Sequence, residues 1–356
     1  MRKISSLEYN TILFFLIRAC FIEVTVGILI SMCSEDAWIS IILGIILGVI
    51  PFFLFHFIKI NNPNKNIIDI INNNFKFCRS LNFIILIGVL IFTICNFWNL
   101  IHFIDSQFLY KTSTWIITSA VILPICYAVS KDFHVVSKVS LILFYVVIIF
   151  MIFIILGLIS GINIDNLKPI LFTRPKNILC GSFIFIAYNV LPIFLLTIIP
   201  NNKIINYSAK KNFLFYLFAT ISLLNIMFLT ISIFGIDLAS LYDYPSFHLL
   251  KRVSVLEIAN RIESILSLEW IFALFVLIII GLFFIKEGIK VIFKVDKKTN
   301  NKIIIVICIA ISFISNVIFL THGTSEYFFQ NYLIYILYII FFIIPFAIFI
   351  KCKVLK

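Results

Sequence analysis

Hydrophobic residues come in runs of roughly 20 along this chain, and charged residues fall almost entirely in the short stretches between the runs. A helix needs roughly 20 apolar residues to cross about 30 Å of hydrocarbon. By that rule ten spans are predicted, at about 10–32, 38–58, 82–104, 113–130, 139–160, 178–200, 212–236, 265–285, 303–321 and 331–350. The runs are about twice the length of barrel strands and lack their alternation, so helices are expected. Two shorter patterns lie between spans. Within 59–80, Ile67, Ile68, Ile71 and Phe75 recur at helical spacing and predict a short helix on the membrane surface. Within 239–264, the segment after Pro245 places Leu249, Val253, Leu256, Ala259 and Ile262 on an amphipathic pattern. It reads as a lid helix or two short ones over the outer mouth, or as a solvated connector.

Composition places the chain in one class. It is 62% hydrophobic and 12% charged, with a mean hydropathy of +1.15, outside the range of water-soluble domains. An all-α integral membrane protein is expected. Ten spans use up most of the 356 residues, so residues 1–356 are read as one transmembrane domain. With the N-terminus placed in the cytoplasm, cytoplasmic segments hold twenty lysines and arginines and outer segments seven, while Arg18 lies inside the first span. That bias puts both termini in the cytoplasm. It also accounts for the formal charge of +12 through anionic lipid headgroups, with no nucleic-acid partner. No signal peptide is read, because the first apolar run is too long for an h-region and no small-residue cleavage pattern follows. The eight cysteines are scattered without a C-x-x-C pair and read as packing residues, so no metal or cofactor is expected.

Ten spans divide into two sets of five of opposite orientation, the arithmetic of a 5+5 inverted-repeat, LeuT-like fold. Such folds bind ligand near the midplane, at breaks in the first helix of each set, here spans one and six. In span six, Tyr188 and Asn189 lie close to the middle, and Pro192 clashes with the carbonyl of Tyr188 four residues back. Freed backbone at this depth is tolerated where it lines a polar cavity or is otherwise re-satisfied. In span one, Glu23 falls near the midplane and Arg18 lies five residues nearer the cytoplasm. The two are about 140° apart on a regular helix, so each needs a partner on another helix, a bridging water or an unwound turn between them. Gly27 and the run Val24-Thr25-Val26 weaken this helix only slightly. Glu23 either receives a ligand ammonium or pairs with Arg18, and the first reading is preferred.

Span three carries Asn96, Asn99, His102 and Asp105 at three-residue steps, one polar stripe from just outside the midplane to the outer surface. Such a stripe indicates a water- or ligand-filled vestibule, or interhelical hydrogen bonding. Ligand contact is assigned to Glu23, Asn96, Asn99, Tyr188 and Asn189. Gating or structural roles are assigned to Arg18, Gly27, His102, Asp105 and Pro192. Span five has no acidic or basic side chain from Leu141 to Ser160, and Ile271 to Ile285 of span eight has no hydroxyl or carboxylate. An ion-coupled pump needs such groups inside the membrane. No H-E-x-x-H, G-x-S-x-G or phosphate-cradling glycine loop is present, so an enzyme is not expected.

Three stretches carry a family resemblance. They are Glu35-Asp36-Ala37-Trp38-Ile39-Ser40; Asn166-Leu167-Lys168-Pro169-Ile170-Leu171 with the following Pro175 to Gly181; and Tyr244-Pro245 through Leu250-Lys251 with Asn260-Arg261-Ile262-Glu263 and Trp270. In order and spacing the chain resembles the GerAB-type B-subunit permease family of spore germinant receptors, within the amino acid–polyamine–organocation superfamily. The resemblance implies a ten-helix inverted repeat with broken first and sixth helices. It also implies a nutrient-sensing role in the spore inner membrane, a small amino acid-like germinant, and assembly with an A subunit and a lipoprotein C subunit. The first helix departs from the superfamily by lacking its glycine-rich break and carrying Arg18 and Glu23. The reading preferred from sequence is a germinant-sensing receptor subunit with a transporter fold; the alternative is a secondary transporter of amino acids or polyamines.

Overall fold

The computed structural model describes residues 2–252, 262–318 and 327–354. The described chain is almost wholly helical, and each of the ten predicted runs falls on helix. After a two-residue strand β1 (Ile4–Ser5), the order is α1 (Ser6–Arg18), α2 (Val26–Cys33), α3 (Ala37–Asn61), α4 (Ile67–Asn74), α5 (Cys78–Gln107), α6 (Thr114–Ser130), α7 (Phe133–Leu158) and α8 (Pro175–Phe185). Strand β2 (Ile204–Ile205) then leads to α9 (Ala209–Ser240), α10 (Pro245–Leu250), α11 (Ile262–Leu266), α12 (Leu268–Phe293) and α13 (Lys297–Ile318). A last run, Phe329–Val354, alternates π and α turns. Buried apolar side chains from Ile4 to Ile348 form one continuous cluster.

Among the described residues, eight helical runs are long and apolar enough to cross a bilayer. The difference from ten has two sources. The fourth run, Thr114–Ser130, is only 17 residues long. The first is interrupted, so only its outer part, Val26–Cys33, is continuous with the helical run of the second.

The first and sixth runs are broken alike. In the first, α1 ends at Arg18 and a π turn, Phe21–Thr25, precedes α2. In the sixth, α8 passes into a π turn, Ile186–Val190, and then into a 3₁₀ helix, Leu191–Ile198. Pro192 sits at the start of that 3₁₀ segment, which accommodates its missing N–H by tightening the helix after a wide turn. Single π turns inside α-helices are characteristic of functional sites.

The end of the bundle where the chain starts is closed by several bonds. Ser5 and Glu8 form a reciprocal capping box on α1, at 3.2 and 2.9 Å. β1 pairs in parallel with β2, matching Ile4 with Ile204 and Ser5 with Ile205. Lys59 at the end of α3 is buried and donates to the carbonyls of Leu196 and Ile199 at 3.2 and 2.8 Å, with its ammonium 4.7 Å from the Tyr9 ring centre. The predicted surface helix is α4. Asn66 caps it by accepting from the Asp69 N–H at 2.8 Å, and Ile67, Ile68, Ile70 and Ile71 are buried, so it tucks beneath the bundle.

At the outer end, Asp36 fastens two loops. Its carboxylate is fully buried and accepts from the amides of Leu171 and Thr173 at 2.7 and 2.8 Å. Thr173 Oγ1 donates to the Cys33 carbonyl at 2.7 Å. The approach to α8 is thus tied to the turn between α2 and α3. The same approach repairs α9, whose ladder breaks at Gly235 with φ +69°. Asn166 Nδ2 and the Asn163 N–H donate to the buried Ser232 carbonyl at 2.9 and 3.1 Å. A helical break inside lipid persists only when such partners are present. Replacing Asp36 by Ala takes the acceptor away from the amides of Leu171 and Thr173, a loss of about 2–6 kcal/mol at 1–3 per group. Thermal melting in detergent should show a clearly lower midpoint for Asp36→Ala and an intermediate one for Asp36→Asn, which keeps one acceptor.

Candidate functional site

The two breaks meet. Asn189 Nδ2, in the π turn of the sixth run, donates to Thr25 Oγ1 in the π turn of the first at 2.9 Å, and to the Phe185 carbonyl at 3.2 Å. Its Oδ1 is buried without a partner. Thr25 Oγ1 in turn donates to the Cys20 carbonyl at 3.3 Å. On α5, Asn96 Oδ1 accepts from Cys20 Sγ at 3.0 Å while its Nδ2 donates to the Phe92 carbonyl at 2.8 Å. Spans one, three and six are therefore joined by a hydrogen-bonded cluster.

Above this cluster lies a cavity of about 200 Å³. Val24, Gly27, Ile28 and Ser31 of the first run form one wall, and Asn99 of α5 another. Ser240, Tyr242, Asp243 and Tyr244 close it from outside, and Phe329 forms a further side. The cavity opens beside Ser240 and Asp243, both exposed. A Cβ on Gly27 would meet nothing within 4 Å, so this glycine widens the cavity rather than permitting a close helix contact.

The polar stripe on α5 divides by depth. Asn96 faces the break, Asn99 the cavity, and His102 Nδ1 meets the Tyr244 hydroxyl at 2.5 Å while stacking on Trp98 at 4.8 Å. Asp105 is half-buried and lies outside the cavity lining. Vestibule and interhelical bonding, read as alternatives from sequence, thus occupy successive turns of one face. Tyr188 and Asn189 are buried beneath the cavity and do not line it. The Tyr188 hydroxyl donates to the Phe329 carbonyl at 2.5 Å, which ties the sixth run to the last. The backbone of Glu23 lies in the π turn, but its side chain lies outside the described residues.

Arg18 finds its partner on another helix. It is buried and forms an ion pair with Glu269 in the first turn of α12, and it also donates to Ser222 Oγ on α9. Its guanidinium stands 5.2 Å from the Phe14 ring centre. Ser222 and Glu269 line a small, mostly apolar hollow of about 30 Å³. Sequence reasoning missed Glu269, whose signal was its place beside Trp270 at the start of an otherwise uncharged span. Asp36, Lys59 and Tyr244 were missed as bonded groups for the same reason: each sits at a span end, where charge is ordinary. Among the described residues no group of three or more His, Cys, Asp or Glu is placed to hold a metal ion.

Residues 9–327 match the family model described as spore germination protein, the spore permeases. The chain belongs to that family. It is 22% identical over 276 residues to the putative spore germination protein YfkT of Bacillus subtilis (strain 168), covering 76% of this chain and 75% of that protein. It is likewise 22% identical over 275 residues to spore germination protein KB of the same organism, covering 74% and 72%. The spore permease fold described above is thus a multi-pass membrane protein whose two broken runs meet beneath an outer cavity.

A buried charge left without its partner costs far more than an exposed one, about 3–5 kcal/mol. Arg18→Met should therefore sharply reduce the yield and melting temperature of folded protein. Arg18→Met combined with Glu269→Leu should recover most of the loss, because apolar groups of similar volume replace the pair. Monodispersity on size exclusion and thermal melting of the single and double variants check this.

Proposed function

We propose that this spore permease is a germinant-sensing subunit, and that a small amino acid-like ligand enters the outer cavity and is read by the paired breaks of runs one and six. The observation that carries the reading is the Asn189–Thr25 hydrogen bond directly beneath a cavity lined by Asn99. A ligand bound there contacts the wall that includes Val24 and Gly27, on either side of the end of the first π turn, and so acts on an element that is neither regular helix nor loop. An equilibrium is shifted only by differential contacts in its two states. Main-chain groups at a break supply such contacts, because they are re-paired when the helix bends.

In this reading the five-plus-five, LeuT-like architecture of the single domain is retained from a transporter, and both termini face the cytoplasm. Glu23 receives the ligand's ammonium. Asn96, Tyr188 and Asn189 act beneath the ligand, holding the breaks in register. Arg18, Gly27, His102, Asp105 and Pro192 shape the walls and their movement. The relative named spore germination protein KB supports a role in germination beside other subunits, and the family resemblance implies that these are an A subunit and a lipoprotein C subunit in the spore inner membrane. The absence of acidic and basic side chains from Leu141 to Ser160 favours sensing over ion-coupled uptake.

Spore germination assays test this directly. Glu23→Gln and Asn99→Leu should each raise the germinant concentration for half-maximal response about tenfold or more, the factor given by about 1.4 kcal/mol of lost contact. A dose response unchanged in both variants would remove the cavity as the ligand site. Uptake of radiolabelled amino acids into proteoliposomes should stay at the background of empty vesicles. Saturable uptake would instead make the protein a secondary transporter.

A further inference from the structure

At the opposite end of the bundle from the vestibule, a second hollow of about 100 Å³ opens between the ends of α6 and α12 and the starts of α7 and α13. Lys131, Lys286, Lys290 and Lys297 stand around it, against two carboxylates, Asp132 and Glu287. Of these acids only Asp132 forms an ion pair with a lining lysine among the described residues, to Lys297 at 3.1 Å. Lys286 is buried and spends one proton on the Val129 carbonyl at 2.7 Å, which caps the end of α6 and leaves two donors. The floor is apolar, with the Phe133 and Phe283 rings 5.0 Å apart and both buried. Asn300, also buried, donates to the Lys286 carbonyl at 2.9 Å, and its own Oδ1 is left without a partner.

We propose that this hollow binds the headgroup of an anionic glycerophospholipid. The lysines hold the phosphate, and Asn300 Oδ1 accepts a hydrogen bond from a headgroup hydroxyl. A buried acceptor left open costs free energy until a donor fills it, so the ligand carries a donor beside its negative charge. Phosphatidylglycerol has both. The lipid, rather than a free phosphate, is indicated by what borders the site. α7 and α13 present exposed Val135, Val139, Ile305 and Val306 just beyond it, an apolar flank along which acyl chains can lie. Basic hollows between transmembrane helices at the membrane surface are suited to phospholipid headgroups.

The test uses the full-length protein in detergent and in nanodiscs. Native mass spectrometry of the purified wild type should show retained phosphatidylglycerol and no retained phosphatidylcholine. Lys290→Gln with Lys297→Gln changes two exposed side chains and leaves the buried Lys286 in place. In that variant retention at a fixed lipid concentration should fall about twenty-five-fold, roughly fivefold per lysine. Lys111→Gln, at the other end of the bundle, should have no effect. Equal retention in the double variant and the wild type would overturn the proposal. So would displacement of the lipid by soluble glycerol phosphate at matching concentration, which would make the site one for a free phosphate.

Discussion

In hydrocarbon there is no water to repair a broken backbone, so every peptide group that leaves its helix must find another partner inside the protein. This constraint organises the whole molecule. Four interruptions show it at work. The first run opens at Phe21–Thr25 and is met by Asn189 through Thr25 Oγ1. The sixth run ends on carbonyls that Lys59 collects. α9 breaks at Gly235 and is served by Asn163 and Asn166. The turn between α2 and α3 delivers Asp36 to two amides of the following loop. Each repair uses a side chain or amide from a distant part of the sequence, so the breaks hold the bundle together instead of weakening it.

The arrangement separates two kinds of polar group. Those that complete the backbone are deep, and they include Asn96, Asn189, Asp36 and Lys59. Those that line open space are few and shallow: Asn99, Ser31, Ser240 and the three residues from Tyr242 to Tyr244. The ion pair of Arg18 and Glu269 belongs to neither group. It fixes α1 against α12 through charge, and its low-dielectric surroundings make it specific rather than strongly stabilising. In this member of the spore permease family, an open cavity rests on a densely bonded core.

Much of this was legible in the sequence. Run lengths and the absence of alternation gave an all-helical membrane bundle, and Pro192 marked the break in the sixth run because proline removes a donor wherever it stands. The spacing of Asn96, Asn99 and His102 placed them on one face. Other features left no local trace. The break in the first run has neither proline nor a glycine pair; it is imposed by the contact of Thr25 with Asn189, 164 residues away. The pairing of Arg18 with Glu269 is likewise a matter of tertiary proximity, since both are charges that sequence position alone left free. The stripe, read as a vestibule or as interhelical bonding, serves three depths, because a helix face is continuous in sequence while the space beside it is not. The side chain of Glu23 lies outside the described residues, so its reading rests on sequence.

The two-residue ladder between Ile4–Ser5 and Ile204–Ile205 has a mechanical consequence. It yokes the leading end of the first run to the trailing end of the sixth by main-chain rungs. The same two runs are bonded again at the far end, where Asn177 Nδ2 donates to the Met32 carbonyl at 3.2 Å. The pair is thereby clamped at both ends, and the interrupted turns lie between two fixed points.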